Sequence, residues 1–181
     1  MFRWFLIFFF TFLIFNSKAD NRDKIIENLN NTSNISFKFE QNINGKIESG
    51  NCIIEYPKKM YCAYDKNNKI LVSNGKSLVI KTISSYYRYP LKKTPLNLIL
   101  DKNFLINKIS RLKERTIDNS YISYSIIDNE NKIDVFFDII SLELIGWQTK
   151  DIYQNTVLTL LGPISKNKEI KKKIFKLPLQ N

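Results

Sequence analysis

The sequence predicts a mainly β protein of α+β type, one antiparallel sheet with hairpin connections and a few short helices. Three observations carry this expectation. Ile35, Phe37 and Phe39 alternate with Ser36, Lys38 and Glu40, the period of a strand burying one face. Turn-forming residues recur about every eight to twelve positions through most of the chain, the rhythm of an antiparallel sandwich or barrel. Asn74-Gly75 lies between Ile70-Leu71-Val72-Ser73 and Ser77-Leu78-Val79-Ile80, where it supplies the two positive φ angles of a type I′ hairpin turn.

The elements follow in order. Met1-Phe2-Arg3, an apolar run at 4–15 and then Asn16-Ser17-Lys18-Ala19 have the layout of an export signal with cleavage before Asp20. An uncleaved anchor is the alternative, but the run is about a dozen residues, short of the roughly 20 that span a bilayer. The expected organisation is a signal at 1–19 and a single domain at 20–181. No cysteine stands at the cleavage site, so the chain itself is not expected to become lipid-anchored. Asp20-Asn21 predicts the start of a helix through Asn30, with Ile25, Ile26 and Leu29 on one face. The strand at Ile35 comes next, and Asn44-Gly45 turns it towards Ile47. Cys52-Ile53-Ile54-Glu55-Tyr56 and Met60-Tyr61-Cys62-Ala63-Tyr64 form a hairpin about Pro57-Lys58-Lys59. After Tyr86-Tyr87-Arg88-Tyr89, Thr94 is placed to cap a short apolar helix that begins at Pro95. A helix is expected over 103–112, then strands over 121–127, 133–139, 142–150 and 154–161, with a turn at Asp128-Asn129-Glu130-Asn131.

Composition narrows the chemistry. The 181 residues are 44% hydrophobic, with 28 basic and 17 acidic residues and a formal net charge of +11. Such a charge suits nucleic acid, anionic lipid or an acidic partner, but heavy use of Lys, Asn and Ile reads as codon bias, under which lysine is the default surface residue. No nucleic-acid partner is inferred from it. The absence of histidine removes imidazole bases, Ser-His-Asp and Cys-His sites, and histidine-ligated metals. Acidic residues are scattered, and no Walker loop, G-x-G-x-x-G, C-x-x-C or G-x-S-x-G is present. No catalytic residue, metal or cofactor is expected. Cys52 and Cys62 lie symmetrically about Pro57, placed either to form a disulfide across the hairpin in an exported chain or to remain two small buried thiols.

Gly50, Tyr56-Pro57, the run Ile70-Leu71-Val72-Ser73-Asn74-Gly75-Lys76-Ser77-Leu78, and Tyr89-Pro90-Leu91-Lys92-Lys93-Thr94-Pro95-Leu96 leading into Leu98-Ile99-Leu100 resemble, in this order, the periplasmic outer-membrane lipoprotein carrier family of the LolA type. Weaker agreement extends through Gly146-Trp147, Asp151 and Phe175 to Pro178. The resemblance implies a curved, incomplete antiparallel β-barrel, a half-barrel, whose open side is covered by short helices above a hydrophobic cavity for acyl chains. It implies a periplasmic chaperone, expected to be a monomer. Such a carrier accepts acylated lipoproteins from an inner-membrane ATP-driven releasing complex and passes them to an outer-membrane receptor.

On that reading Phe37, Phe39, Ile54, Met60, Tyr64, Val72, Leu78 and Ile80 form the inner face if Cys52 and Cys62 point inward; otherwise they are simply core. Thr94, Pro95, Leu96, Ile99 and Leu100 are the lid. The family places an arginine before the turn proline, where it fastens the lid, and here that residue is Tyr56; either its hydroxyl takes over that bonding or closure is controlled differently. A second reading, of another class, is a periplasmic half-barrel sensor or interaction domain that binds protein, or another lipid, instead of lipoproteins.

Overall fold

In the computed structural model, which describes residues 20–128, 131–151 and 153–180, helix α1 (Asn21–Asn30) precedes a run of six antiparallel strands, β1 (Asn34–Ile43), β2 (Lys46–Glu55), β3 (Lys59–Tyr64), β4 (Ile70–Asn74), β5 (Ser77–Lys81) and β6 (Tyr86–Pro90). The expected signal at 1–19, and Asn129 and Glu130 of the expected turn, lie outside the described residues. A 3-10 turn (Leu91–Lys93) leads to helices α2 (Leu96–Leu100) and α3 (Lys102–Ile109). The sheet resumes with β7 (Arg115–Ile117), β8 (Tyr121–Asp128), β9 (Asn131–Asp138), β10 (Leu144–Lys150), β11 (Thr156–Leu161) and the two-residue β12 (Ser165–Lys166), before a last 3-10 turn (Lys172–Phe175).

Among the described residues the strands make one 12-stranded sheet in the order β6-β5-β4-β3-β2-β1-β11-β10-β9-β8-β7, with β12 pairing to the start of β1. Joining β1 to β11 fuses the two strand runs into one surface. β6 and β7 remain at opposite edges, so the sheet is an open, curved half-barrel, and the three short helices lie on its concave side.

The two Asn-Gly pairs behave differently. Asn44 and Gly45 both take positive φ, 49° and 87°, between Ile43 and its partner Lys46, the type I′ geometry. At the second pair Gly75 alone has positive φ, 94°, which corrects the type I′ expectation: the loop is Gly75-Lys76, the type II′ pattern. The reason is pairing. Asn74 stays in β4 opposite Lys59, and its side-chain oxygen accepts from the N–H groups of Lys76 and Ser77, both at 3.0 Å. The first turn is also displaced by one residue, to Tyr56-Pro57-Lys58, with a cis Tyr56-Pro57 peptide.

Register determines the faces, because directly opposed residues on antiparallel strands share one. Phe37, Cys52, Cys62, Leu71 and Ile80 form one row across β1 to β5, and Ile35, Ile54, Met60, Ser73 and Leu78 the next. The apolar residues of both rows, with Ile80 partly buried, pack in a single cluster that takes in Ile25 and Leu29 of α1, Leu98, Ile99 and Leu100 of α2, Leu105 and Ile109 of α3, and Ile122, Tyr124, Val135, Phe137 and Trp147 of the second strand run. Val72 is the correction: it opposes Tyr61 and Val79 and faces the convex side. It is buried there because the C-terminal 3-10 turn crosses β3 and β4 and buries Phe175. An apolar residue on a strand covered on both faces gives no sequence signal for which face it occupies.

Candidate functional site

The wall of the site is the concave side of β1 to β5. Cys52 and Cys62 are joined by a disulfide in the middle of it, as a directly opposed pair. Phe39 and Tyr64 close one end with rings edge-on at a centroid separation of 4.9 Å. Gly50 between them has no room for a Cβ, which would collide with the Ala63 carbonyl and with Phe39 at 2.9 Å. That end is polar at its rim: the Tyr64 hydroxyl donates to Gln41 Oε1 at 3.2 Å, and the Lys69 ammonium lies 4.0 Å from the Tyr64 ring centroid. Burial, and after it the nearby Glu48 carboxylate, push the Tyr64 phenol well above its ordinary range. Burial also pushes the Glu48 carboxyl up, but hydrogen bonds and charge from Lys69 and Lys46 outweigh it, so its pKa is lowered.

Helix α2 lies over the other end. Its sequence, Leu-Asn-Leu-Ile-Leu, has no charged residue, and five residues is far below the length at which a helix persists in water. It is helical because Leu98, Ile99 and Leu100 are buried on the wall. Pro95 has helical φ, −58°, and the Thr94 carbonyl accepts from Asn97 N–H at 3.1 Å. The Thr94 hydroxyl does not cap: it donates to the Leu91 carbonyl at 2.8 Å, because the unexpected 3-10 turn before it offers an acceptor first. Leu91 is fully buried and its N–H bonds the Lys76 carbonyl at 2.9 Å, which anchors the approach to the helix.

The far end of α2 is fastened by Lys58, a residue that sequence reading missed. Its N–H donates to the Leu100 carbonyl at 2.8 Å, and its ammonium lies 2.9 Å from Asp101 Oδ2. The other oxygen of Asp101 caps α3 by accepting from Phe104 N–H at 3.2 Å. Lys58 is held for this in the left-handed region, φ 68°, with its own carbonyl bonded by the buried Ser73 hydroxyl at 2.7 Å. Tyr56 is not the latch. Its ring packs on the apolar cluster with the Lys102 ammonium 5.9 Å from its centroid, and burial raises its phenol well above the ordinary range; among the described residues its hydroxyl makes no bond to α2.

A cavity of about 20 Å³, room for about one water, is lined by Leu29, Ile35, Tyr56, Phe137, Leu142 and Ile164 among others, between α1 and the sheet. Small-molecule pockets are typically about 300–1,000 Å³. An apolar wall with a short apolar helix lying on it describes a wall and its cover. Among the described residues no helix is long and apolar enough to cross a membrane, and no group of three or more His, Cys, Asp or Glu is placed to hold a metal.

The family model for outer membrane lipoprotein carrier protein LolA matches residues 30–178, which takes in every strand and helices α2 and α3. The chain belongs to the LolA family. Among solved structures it is similar to a LolA superfamily protein from Nitrosomonas europaea, with 9% identity over 88% of this chain and 99% of that one and a TM-score of 0.47. An outer membrane lipoprotein-sorting protein domain from Vibrio parahaemolyticus gives 8% identity over 84% and 94%, with a TM-score of 0.47. The MucA/MucB complex of Pseudomonas aeruginosa gives 10% over 88% and 62%, also at 0.47. No curated protein matches the chain.

For a LolA-family chain, the residues expected at an acyl-chain cavity divide by geometry. Phe37, Phe39, Ile54, Met60, Tyr64, Leu78 and Ile80 share the concave face, and Val72 does not. Of the expected lid, Ile99 and Leu100 are fully buried, Leu96 is half-buried against the same cluster, and Leu98 beside them belongs to the set as well. A hydrophobic residue at nearly every position of a five-residue helix was the signal that could have included it.

Proposed function

We propose that this chain is a periplasmic lipoprotein chaperone without chemistry of its own. It accepts the acyl chains of lipoproteins from an inner-membrane ATP-driven releasing complex and delivers them to an outer-membrane receptor, acting as a monomer without a cofactor. The observation that supports the reading, beside family membership, is the pairing of an apolar wall with a short apolar helix lying on it. An acyl chain of some sixteen carbons is worth roughly 0.8 kcal/mol per CH₂ when moved out of water, over 10 kcal/mol per chain. A carrier has to supply comparable apolar surface and then withdraw it. Phe37, Met60, Leu78 and Ile80 supply such surface, and α2 occupies it when no chain does. Cargo and α2 therefore compete for one wall, and closure returns the empty wall to a dry state.

The test is release of a radiolabelled lipoprotein from spheroplasts incubated with the purified protein, followed by its incorporation into outer-membrane vesicles. Release into a soluble complex and transfer are expected. Failure to release lipoprotein, together with recovery of a protein partner in delipidated extracts, would replace the carrier reading with that of an interaction domain.

A further inference from the structure

The turns beside α2 carry a concentration of lysines that the acyl-binding wall does not use. Lys92 and Lys93 belong to the 3-10 turn that leads into the lid, and both are exposed. The next residue back, Leu91, is hydrogen-bonded to the carbonyl of Lys76, which is exposed in the β4–β5 loop. β4 ends there at Asn74 opposite Lys59, and the Lys59 ammonium lies 5.8 Å from the ring centroid of Phe175. That contact brings the exposed run Lys171-Lys172-Lys173 to the same end of the sheet.

Of the nearby carboxylates, Glu55 is engaged by Lys59 and Asp101 by Lys58, while Glu169, two residues before Lys171, is exposed and outside the ion pairs of the described residues. Among the described residues, none of Lys76, Lys92, Lys93, Lys171, Lys172 and Lys173 is in an ion pair. At the opposite end Lys46 and Lys69 both pair with Glu48, which leaves Lys66 and Lys150 there as exposed lysines outside the ion pairs of the described residues, fewer than in the collar. Codon bias accounts for many lysines, but it does not account for unpaired ones gathering where the lid is hinged.

We propose that this collar docks the protein on an anionic lipid surface, its ammonium groups against headgroup phosphates, with the hinge of α2 facing the bilayer. The chemistry favours phosphate headgroups over an acidic protein. The six groups are all lysines, flexible point charges suited to a diffuse, laterally mobile anionic plane, and none is an arginine, the fork that fits a fixed carboxylate. Near an anionic bilayer each such lysine strengthens binding roughly fivefold, and the attraction vanishes beyond a Debye length of about 10 Å at 0.1 M salt. The collar rests on the carrier reading in one respect only, that acyl chains pass under α2. Docking there places the opening cover against the surface the chains leave or enter.

Co-sedimentation of protein recovered from the periplasmic extract of an expressing bacterium tests this, using vesicles of phosphatidylcholine mixed with phosphatidylglycerol against vesicles of phosphatidylcholine alone. Binding to the mixed vesicles only, reversed by about 1 M salt, is expected. Lys92→Glu/Lys93→Glu and Lys171→Glu/Lys172→Glu/Lys173→Glu should each weaken it at least about tenfold. Lys66→Glu/Lys150→Glu, at the opposite end of the sheet, should change it less than about threefold. Equal weakening by collar and control variants would show a response to net charge and overturn the proposal. Absence of wild-type binding to the mixed vesicles would also overturn it, leaving an acidic protein as the collar's partner. Binding of a fluorescent fatty acid, measured in parallel on the same variants, reports on the carrier reading separately: wild type that binds vesicles but no fatty acid keeps the collar and loses the carrier.

Discussion

Helices α1 and α2 lay apolar side chains on the same wall, yet they are held in different ways. α1 is tied across the molecule. Asn28 donates to the carbonyls of Ser141 and Leu142 in the β9–β10 turn, both at 3.2 Å. Lys102 of α3 bonds the carbonyls of Asn30 and Thr32 at its C-terminal end, at 3.2 and 2.8 Å, and Asn167 bonds the carbonyl of Asn31 at 2.8 Å. Among the described residues the polar ties of α2 run to turns of its own half of the sheet, through Lys58 at one end and Leu91 at the other, and the chain continues through Asp101 into α3. The difference makes α2 the less tethered of the two covers. Freeing α1 would break polar contacts to three separate segments, whereas the polar ties of α2 are two backbone hydrogen bonds, Lys58 to Leu100 and Leu91 to Lys76, and one partly buried ion pair.

The sharpest break in this comparison is a matched pair of truncations. Ile25 on α1 and Ile99 on α2 are both fully buried. Ile25→Ala should cost about 2–5 kcal/mol of global stability, read from urea unfolding. Ile99→Ala should cost less, because α2 can open while the sheet stays folded, which caps the loss at the free energy of opening. Equal losses would mean that α2 is as integral as α1. Breaking the Cys52–Cys62 bridge comes next. Cys52→Ala/Cys62→Ala should lower stability by on the order of 3 kcal/mol, and alkylation of the wild-type protein before reduction should label no thiol.

Leu96→Asp tests function more than stability. Leu96 is half-buried, so the fold should survive with β-rich far-ultraviolet circular dichroism, while lipoprotein transfer is lost because an unpaired charge is costly against an apolar wall. Transfer at the wild-type level would remove Leu96 from the site. Asp101→Asn should act more gently, since the Lys58–Asp101 pair still reaches solvent, 30% and 25% exposed, and screened pairs are worth about 1 kcal/mol. Faster amide exchange confined to α2 and the start of α3 is the expected result, and unchanged exchange would remove the latch.

The smallest effect concerns the other end of the wall. Glu48 has a lowered pKa in the folded chain, so its contribution to stability is fully present above the ordinary glutamate value of 4.5 and fades as pH falls through the lowered value. Glu48→Gln should flatten the acid limb of the stability profile without altering α2 exchange.

The sequence by itself determined most of the strands, their hairpin succession and the short apolar helix after Pro95, since alternation, Asn-Gly and Pro act within a few residues; the short β7 and β12 were not legible in it. It placed Cys52 and Cys62 symmetrically about Pro57 but left a disulfide and two buried thiols both open, and the observed register, with the two directly opposed, settles it as a disulfide. Tertiary structure alone decided the rest. Val72 was assigned to the wrong face because the strap ending at Phe175 covers the convex side of β4, and a strand buried twice loses its alternation. The latch fell to Lys58 instead of Tyr56 because it depends on where the end of α2 meets the β2–β3 turn, a contact between segments distant in the chain. Whether the wall is covered or open is likewise a property of three helices brought together on one sheet, and no local run of residues encodes it.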